Sequence, residues 1–154
     1  MDYYFFDSSG IVKNYIIEIG TNWVKNVFNS VSTNVIYAVS VAEVEVISAF
    51  ARRLTGKTLT VGEAAIASSQ FKYDFANDLR VVAVEQILLN RAVNLAEKYA
   101  LRGYDAIQLS AAVEVFAYIN ALNQGSFIFV SADNELNSVA QAEGLAVENP
   151  NNYP

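Results

Sequence analysis

Four carboxylates stand where this chain could do chemistry with them: Asp7, Glu45, Asp105 and Asp133. Asp105 lies in the stretch LRGYDAIQLSAA, Leu101–Ala112, in the first turn of an apolar helix. Its face continues at helical spacing through Leu109, Ala112 and Phe116. An acid at the head of a buried stripe is unfavourable unless something compensates it. A helix N-terminus compensates in part, through its free N–H groups and positive dipole end; a cation shared with other acids is the alternative. If several acids gather, their repulsion raises their pKa values, and a divalent cation relieves it. Ligands offering only oxygen suit Mg²⁺, with Mn²⁺ able to substitute. Such ions lower the pKa of water and stabilise charge on a phosphoryl group, which serves phosphodiester hydrolysis.

Each acid also has a plainer role open to it. Asp7, followed by Ser8 and Ser9, can cap a helix. Glu45, like Glu43, can be a solvated helix position, and Asp133 can complement a helix dipole. Glu43 and Glu45 lie about 200° apart around a helix, so only one of them can face a given site.

The chain has no histidine and no cysteine. That excludes disulfides, cysteine nucleophiles, imidazole bases, Ser-His-Asp triads and the usual zinc sites. Charged residues make up 17% of the 154, too few for a disordered chain or a coiled coil, and the hydrophobic share of 53% points to apolar surface covered by a partner. The length fits one domain. No run of about 18 apolar residues lacks a charge, so no membrane helix is expected. The opening MDYYFFDSSG has no basic region, unlike a secretory signal, so the cytoplasm is the expected compartment. A net charge of −6 does not draw in nucleic acid and suits a basic peptide better. Contact with phosphate would fall to the basic residues nearest the acids: Lys13, Arg52, Arg53, Lys57 and Arg102.

The elements that must position these residues can be read in order. Tyr3–Phe6, Val35–Val39, Leu79–Val82, Phe127–Val130 and Leu145–Val147 read as strands. Helices are expected over Ile11–Ile19, from Thr21 through Phe28, from a Ser40 cap to Leu54, and over Val61–Phe75. Three more cover Glu85–Ala100, Tyr104–Leu122 and a segment from Ser131 to Gly144. Strands alternating with helices predict an α/β domain over residues 1–148, with a mainly parallel sheet of four or five strands covered on both faces. Residues 149–154 read as a short, loosely ordered polar tail. In such a sheet the crevice lies at the carboxyl ends of the strands. Asp7 and Asp133, each following a strand, should share that edge. Tyr73, Phe75, Tyr99, Tyr104 and Tyr118 read as helix packing.

Four segments in order resemble the PIN-domain family, specifically the VapC-type toxins of type II toxin–antitoxin systems: YYFFDSSGIVKNY, EVISAFARR, LRGYDAIQLSAA and FVSADNELNSVAQAEGLAV. EIGTNWV, between the first two, also resembles the family, so the likeness spans nearly the whole chain. It implies a PIN-like three-layer α/β/α sandwich and a Mg²⁺-dependent ribonuclease using an acidic cluster. By the match, Asp7, Glu45, Asp105 and Asp133 are the catalytic acids and metal ligands. Ser8, Ser9, Ser131 and Arg102 are supporting residues, with Asn137 a further contributor. The implied partners are RNA, a small antitoxin that inserts a helix and a basic side chain into the acidic site, and a second copy of the chain. Neither a membrane nor direct DNA binding is implied. A catalytically silent PIN-like module that works by protein–protein binding is the alternative. Two other phosphate chemistries fit less well. A phospho-acceptor domain wants an acidic pair beside the first strand, and haloacid-dehalogenase-type phosphatases want an acid where Ser9 stands.

Overall fold

The structure, a computed structural model, describes residues 1–154. Five strands form one wholly parallel sheet: β1 (Asp2–Phe6), β2 (Asn34–Val39), β3 (Arg80–Val82), β4 (Ser126–Val130) and β5 (Ala146–Glu148), in the order β3-β2-β1-β4-β5. The chain winds outward from β1 to β3 and then returns past it to β4. The order therefore reverses between β1 and β4, where Phe6 pairs in register with Val130.

Seven helices cover the sheet: α1 (Ser8–Tyr15), α2 (Thr21–Asn29), α3 (Ala42–Thr55), α4 (Val61–Asn77), α5 (Gln86–Tyr99), α6 (Gly103–Leu122) and α7 (Asn134–Ala142). α1 to α4 pack on one another, and α5 to α7 form a second group. This is the α/β/α sandwich expected. The core forms because the strands carry bulky apolar residues to both faces. Phe5, Phe6 and Phe129 are fully buried, with Phe5 stacked on Phe129 at 6.0 Å. Each buries enough area to contribute roughly 1.5–3 kcal/mol. A second aromatic cluster joins α1, α3 and α4 through Tyr15, Phe50 and Phe71. No helix is long and apolar enough to cross a membrane.

Several boundaries differ from the sequence reading, each for a local reason. α1 ends at Tyr15 rather than Ile19, because the Thr21 hydroxyl accepts from Glu18 N–H and donates to the Ile16 carbonyl, folding the chain into a turn. Ser40 does not cap α3, which starts without a side-chain cap. α7 begins at Asn134, since Asp133 and not Ser131 caps it. The last six residues are not a loose tail. Asn149 caps a 3₁₀ turn over Pro150–Asn152, Pro150 is buried, and Tyr153 stacks on Trp23 at 4.9 Å. Gly20, at φ +88°, permits this docking, because a Cβ there would collide with the Pro150 carbonyl. Among the tyrosines expected to pack, Tyr73, Tyr104 and Tyr118 are more than half exposed.

Candidate active site

α1 follows β1 with no intervening loop, so Asp7 serves as its N-cap and lies buried at the carboxyl edge of the central strand. Both its oxygens are engaged. Oδ1 accepts from Ser9 Oγ at 2.7 Å and from Gly10 N–H at 2.9 Å, while Oδ2 accepts from Ser131 Oγ at 2.7 Å. Burial pushes the Asp7 carboxyl up to about 6; these three hydrogen bonds oppose the shift and the Asp105 charge adds to it. Ser131 is held in turn by Asp133, whose N–H donates to Ser131 Oγ at 3.0 Å. Asp133 Oδ1 accepts from the N–H groups of Glu135 and Leu136, the capping role open to it from sequence.

Glu45 enters from α3. Its Oε1 accepts from Ser8 Oγ at 2.9 Å and from Gln108 Nε2 at 2.8 Å, while Oε2 has no hydrogen bond within the protein. Glu43, two residues earlier, is exposed and makes no such contact. Of the two, Glu45 is the one turned into the cleft.

Asp105 sits half-buried in the first turn of α6 and makes no side-chain hydrogen bond. Burial raises its pKa first, followed by the charges of Asp133 and Glu45; Arg102 opposes them. Asp105 therefore feels all three other acids, since Asp7 is coupled to it as well. These carboxylates act on one another's ionisation. The side chains do not close into a cage, as no group of three or more acids is arranged to hold a metal ion. The donor chemistry nonetheless fits a hard cation. Mg²⁺ is usually held through one or two carboxylates plus water, and Asp105 and Glu45 present oxygens not committed elsewhere.

A cleft of about 530 Å³ opens beside Glu45; its lining includes Ser8, Ser9, Arg52 and Arg53 but not Asp7, Asp105 or Asp133. Arg52 is exposed and bonds Ser48, and Arg53 pairs with Glu18 at 3.2 Å. Lys13 is not available to a ligand: it is buried, pairs with Glu18 and donates to the Ile19 carbonyl at 2.8 Å. Lys57 does not line the cleft. Asn137 is buried behind Asp133 and donates to the Ser131 carbonyl at 2.8 Å, so it supports the turn.

Two contributors were not recognised from sequence. Tyr104, read as packing, lines the cleft. Gln108, one turn after Asp105 on the same helix, is 2% exposed and touches both Glu45 and Ser8. An uncharged polar side chain inside an apolar stripe was the available signal for Gln108.

No protein-family model matches the sequence, and no curated protein matches it either. Solved structures do match in fold. PAE2754 from Pyrobaculum aerophilum aligns with a TM-score of 0.61 at 17% identity, over 97% of this chain and 85% of that one. VapBC2 from Rickettsia felis, solved bound to a DNA fragment from their promoter, aligns at 0.62 and 14% identity, over 96% and 98%. FitAcB from Neisseria gonorrhoeae aligns at 0.57 and 11% identity, over 96% and 97%. At these identities the likeness is one of fold, and the chain accordingly has the PIN-like α/β/α fold that its sequence segments imply.

Proposed function

We propose that this chain is a Mg²⁺-dependent endoribonuclease of the VapC toxin kind, with Mn²⁺ able to substitute. The observation that carries the reading is the position of Asp105. It is half-buried, unpaired and electrostatically coupled to Glu45, Asp7 and Asp133, the last two of which follow β1 and β4 on either side of the strand-order reversal. A cation bound there supplies Lewis acidity toward a phosphoryl oxygen and lowers the pKa of water, which a chain without histidine needs. Asp7, Glu45, Asp105 and Asp133 are the residues that would hold it. Ser9 and Ser131 orient Asp7, and Ser8 orients Glu45. Arg52 and Arg102, both exposed, are the side chains offered to RNA phosphates.

The reading extends to partners. The matched structures include VapBC2 and FitAcB, and net charge −6 favours a basic antitoxin segment. Ile66 on α4 and Ile87 and Val93 on α5 are more than 60% exposed, which supports a homodimer that covers apolar surface. The cytoplasm is the compartment we assign. One observation favours the silent binding module instead: no three acids are arranged around a common point.

Purified protein incubated with RNA and Mn²⁺ separates the two readings. Cleavage that stops on chelation and in Asp105→Asn and Asp7→Asn supports the nuclease. Intact RNA at every metal concentration, or cleavage that survives both substitutions, overturns it.

A further inference from the structure

α6 carries two polar groups of the site on adjacent turns of one face, Asp105 and Gln108. Gln108 is more deeply buried than either Asp105 or Glu45, and its amide is anchored at one end only. Both Nε2 hydrogens are used, one on Ser8 Oγ at 2.8 Å and one on Glu45 Oε1 at 2.8 Å. Ser8 Oγ donates its own hydrogen to the same Glu45 oxygen at 2.9 Å, which closes a triangle. The opposite orientation of the amide would set its oxygen against a carboxylate, so the acid dictates which way Gln108 faces. Gln108 Oε1 is left buried with no partner.

That arrangement is poor for stability. An unpaired buried carbonyl is unfavourable; the neighbouring buried positions Leu109, Ala111 and Ala112 are apolar, and the buried Ser110 hydroxyl is satisfied by donating to the Leu88 carbonyl at 2.7 Å. We propose that Gln108 is a positioning residue for the nuclease site: it pins Glu45 Oε1 against Ser8 so that Glu45 Oε2 is presented to the bound cation. This inference rests on the metal-dependent reading above. Gln108 acts through Glu45 and touches no reacting atom.

The test is a Mn²⁺ titration by calorimetry on wild type, Gln108→Met, Glu45→Ala and the double variant, with thermal melts of each. Methionine keeps the length of glutamine and removes both the donor and the orphaned acceptor. Gln108→Met is expected to melt no lower than wild type yet bind Mn²⁺ about 10-fold more weakly. In the Glu45→Ala background the same change is expected to have no further effect. Gln108→Asn, which keeps the amide but is one methylene short of Glu45, is expected to lose affinity similarly and serves if the methionine variant does not fold. Affinity unchanged in either variant, or lowered equally with and without Glu45, overturns the proposal alone. Wild type that binds no Mn²⁺ overturns the metal-dependent reading, and the proposal falls with it.

Discussion

Ser131 and Asp7, 124 residues apart, are joined by a 2.7 Å hydrogen bond from the serine hydroxyl to Asp7 Oδ2. The same hydroxyl accepts from the Asp133 N–H, so one side chain ties together the two acids that follow β1 and β4. Ser131→Ala leaves that N–H and one face of a buried carboxylate without their partner. The expected loss is about 1–3 kcal/mol of unfolding free energy in urea, with Mn²⁺ affinity lowered about 10-fold. An unchanged urea midpoint would show that the bridge does not stabilise the fold.

Asp105 carries charge that its surroundings resist. Its neighbours Asp133, Glu45 and Glu135 all disfavour ionisation, and only Arg102 favours it. In metal-free protein Asp105→Asn is expected to melt at the same temperature as wild type or higher. RNA cleavage should fall by about 100-fold or more. A variant that is both destabilised and fully active contradicts this account.

Asp7 gives a pH signature. Its folded pKa, about 6, stands above the unfolded value near 4. Its contribution to stability is therefore complete below pH ~4 and is lost as pH rises through about 6. Asparagine mimics the protonated acid, and the Ser131 hydroxyl can rotate to accept from it. Metal-free Asp7→Asn is expected to exceed wild type by about 1–3 kcal/mol at pH 7, with the gap closing near pH 4. Denaturation midpoints across that range provide the check; a gap independent of pH would mean Asp7 is not the titrating group.

The docked C-terminus can be tested apart from the site. Tyr153 stacks on Trp23 with an interplanar angle of 6°. Tyr153→Ala is expected to lose about 1 kcal/mol of stability while Mn²⁺ binding stays at the wild-type value. The fluorescence of Trp23, the single tryptophan, reports the undocking directly.

Thr60 and Glu63 form a capping box at the start of α4, away from the cleft. Thr60→Ala is expected to cost about 1 kcal/mol and to leave Mn²⁺ affinity unaltered. It calibrates the other variants, since it separates a general loss of stability from damage to the site.

The extent to which the fold was legible follows from period and position. Apolar runs such as Tyr3–Phe6 and Phe127–Val130, alternating with helices, are satisfied inside a covered parallel sheet, and the acids that follow them then lie at one edge. Boundaries were less legible where a side chain competes with the helix. Thr21 folds back on Ile16, and Asp133 takes the cap that Ser131 was expected to supply. The docked Tyr153 was not legible at all, because its partner Trp23 is distant in sequence and only the tertiary fold brings the two rings together.

Composition by itself determined that any catalysis here proceeds without imidazole or thiol, which leaves carboxylates, hydroxyls, amines and guanidinium to work with. Spacing determined that Glu43 and Glu45 could not both face one cleft. Only the tertiary structure decided between them, committed the oxygens of Asp7 to hydrogen bonds, left Asp105 unpaired and set Gln108 against Glu45. The physical reason is that periodicity orients a side chain about the axis of its own element, whereas its partners are set by how separate elements pack against one another.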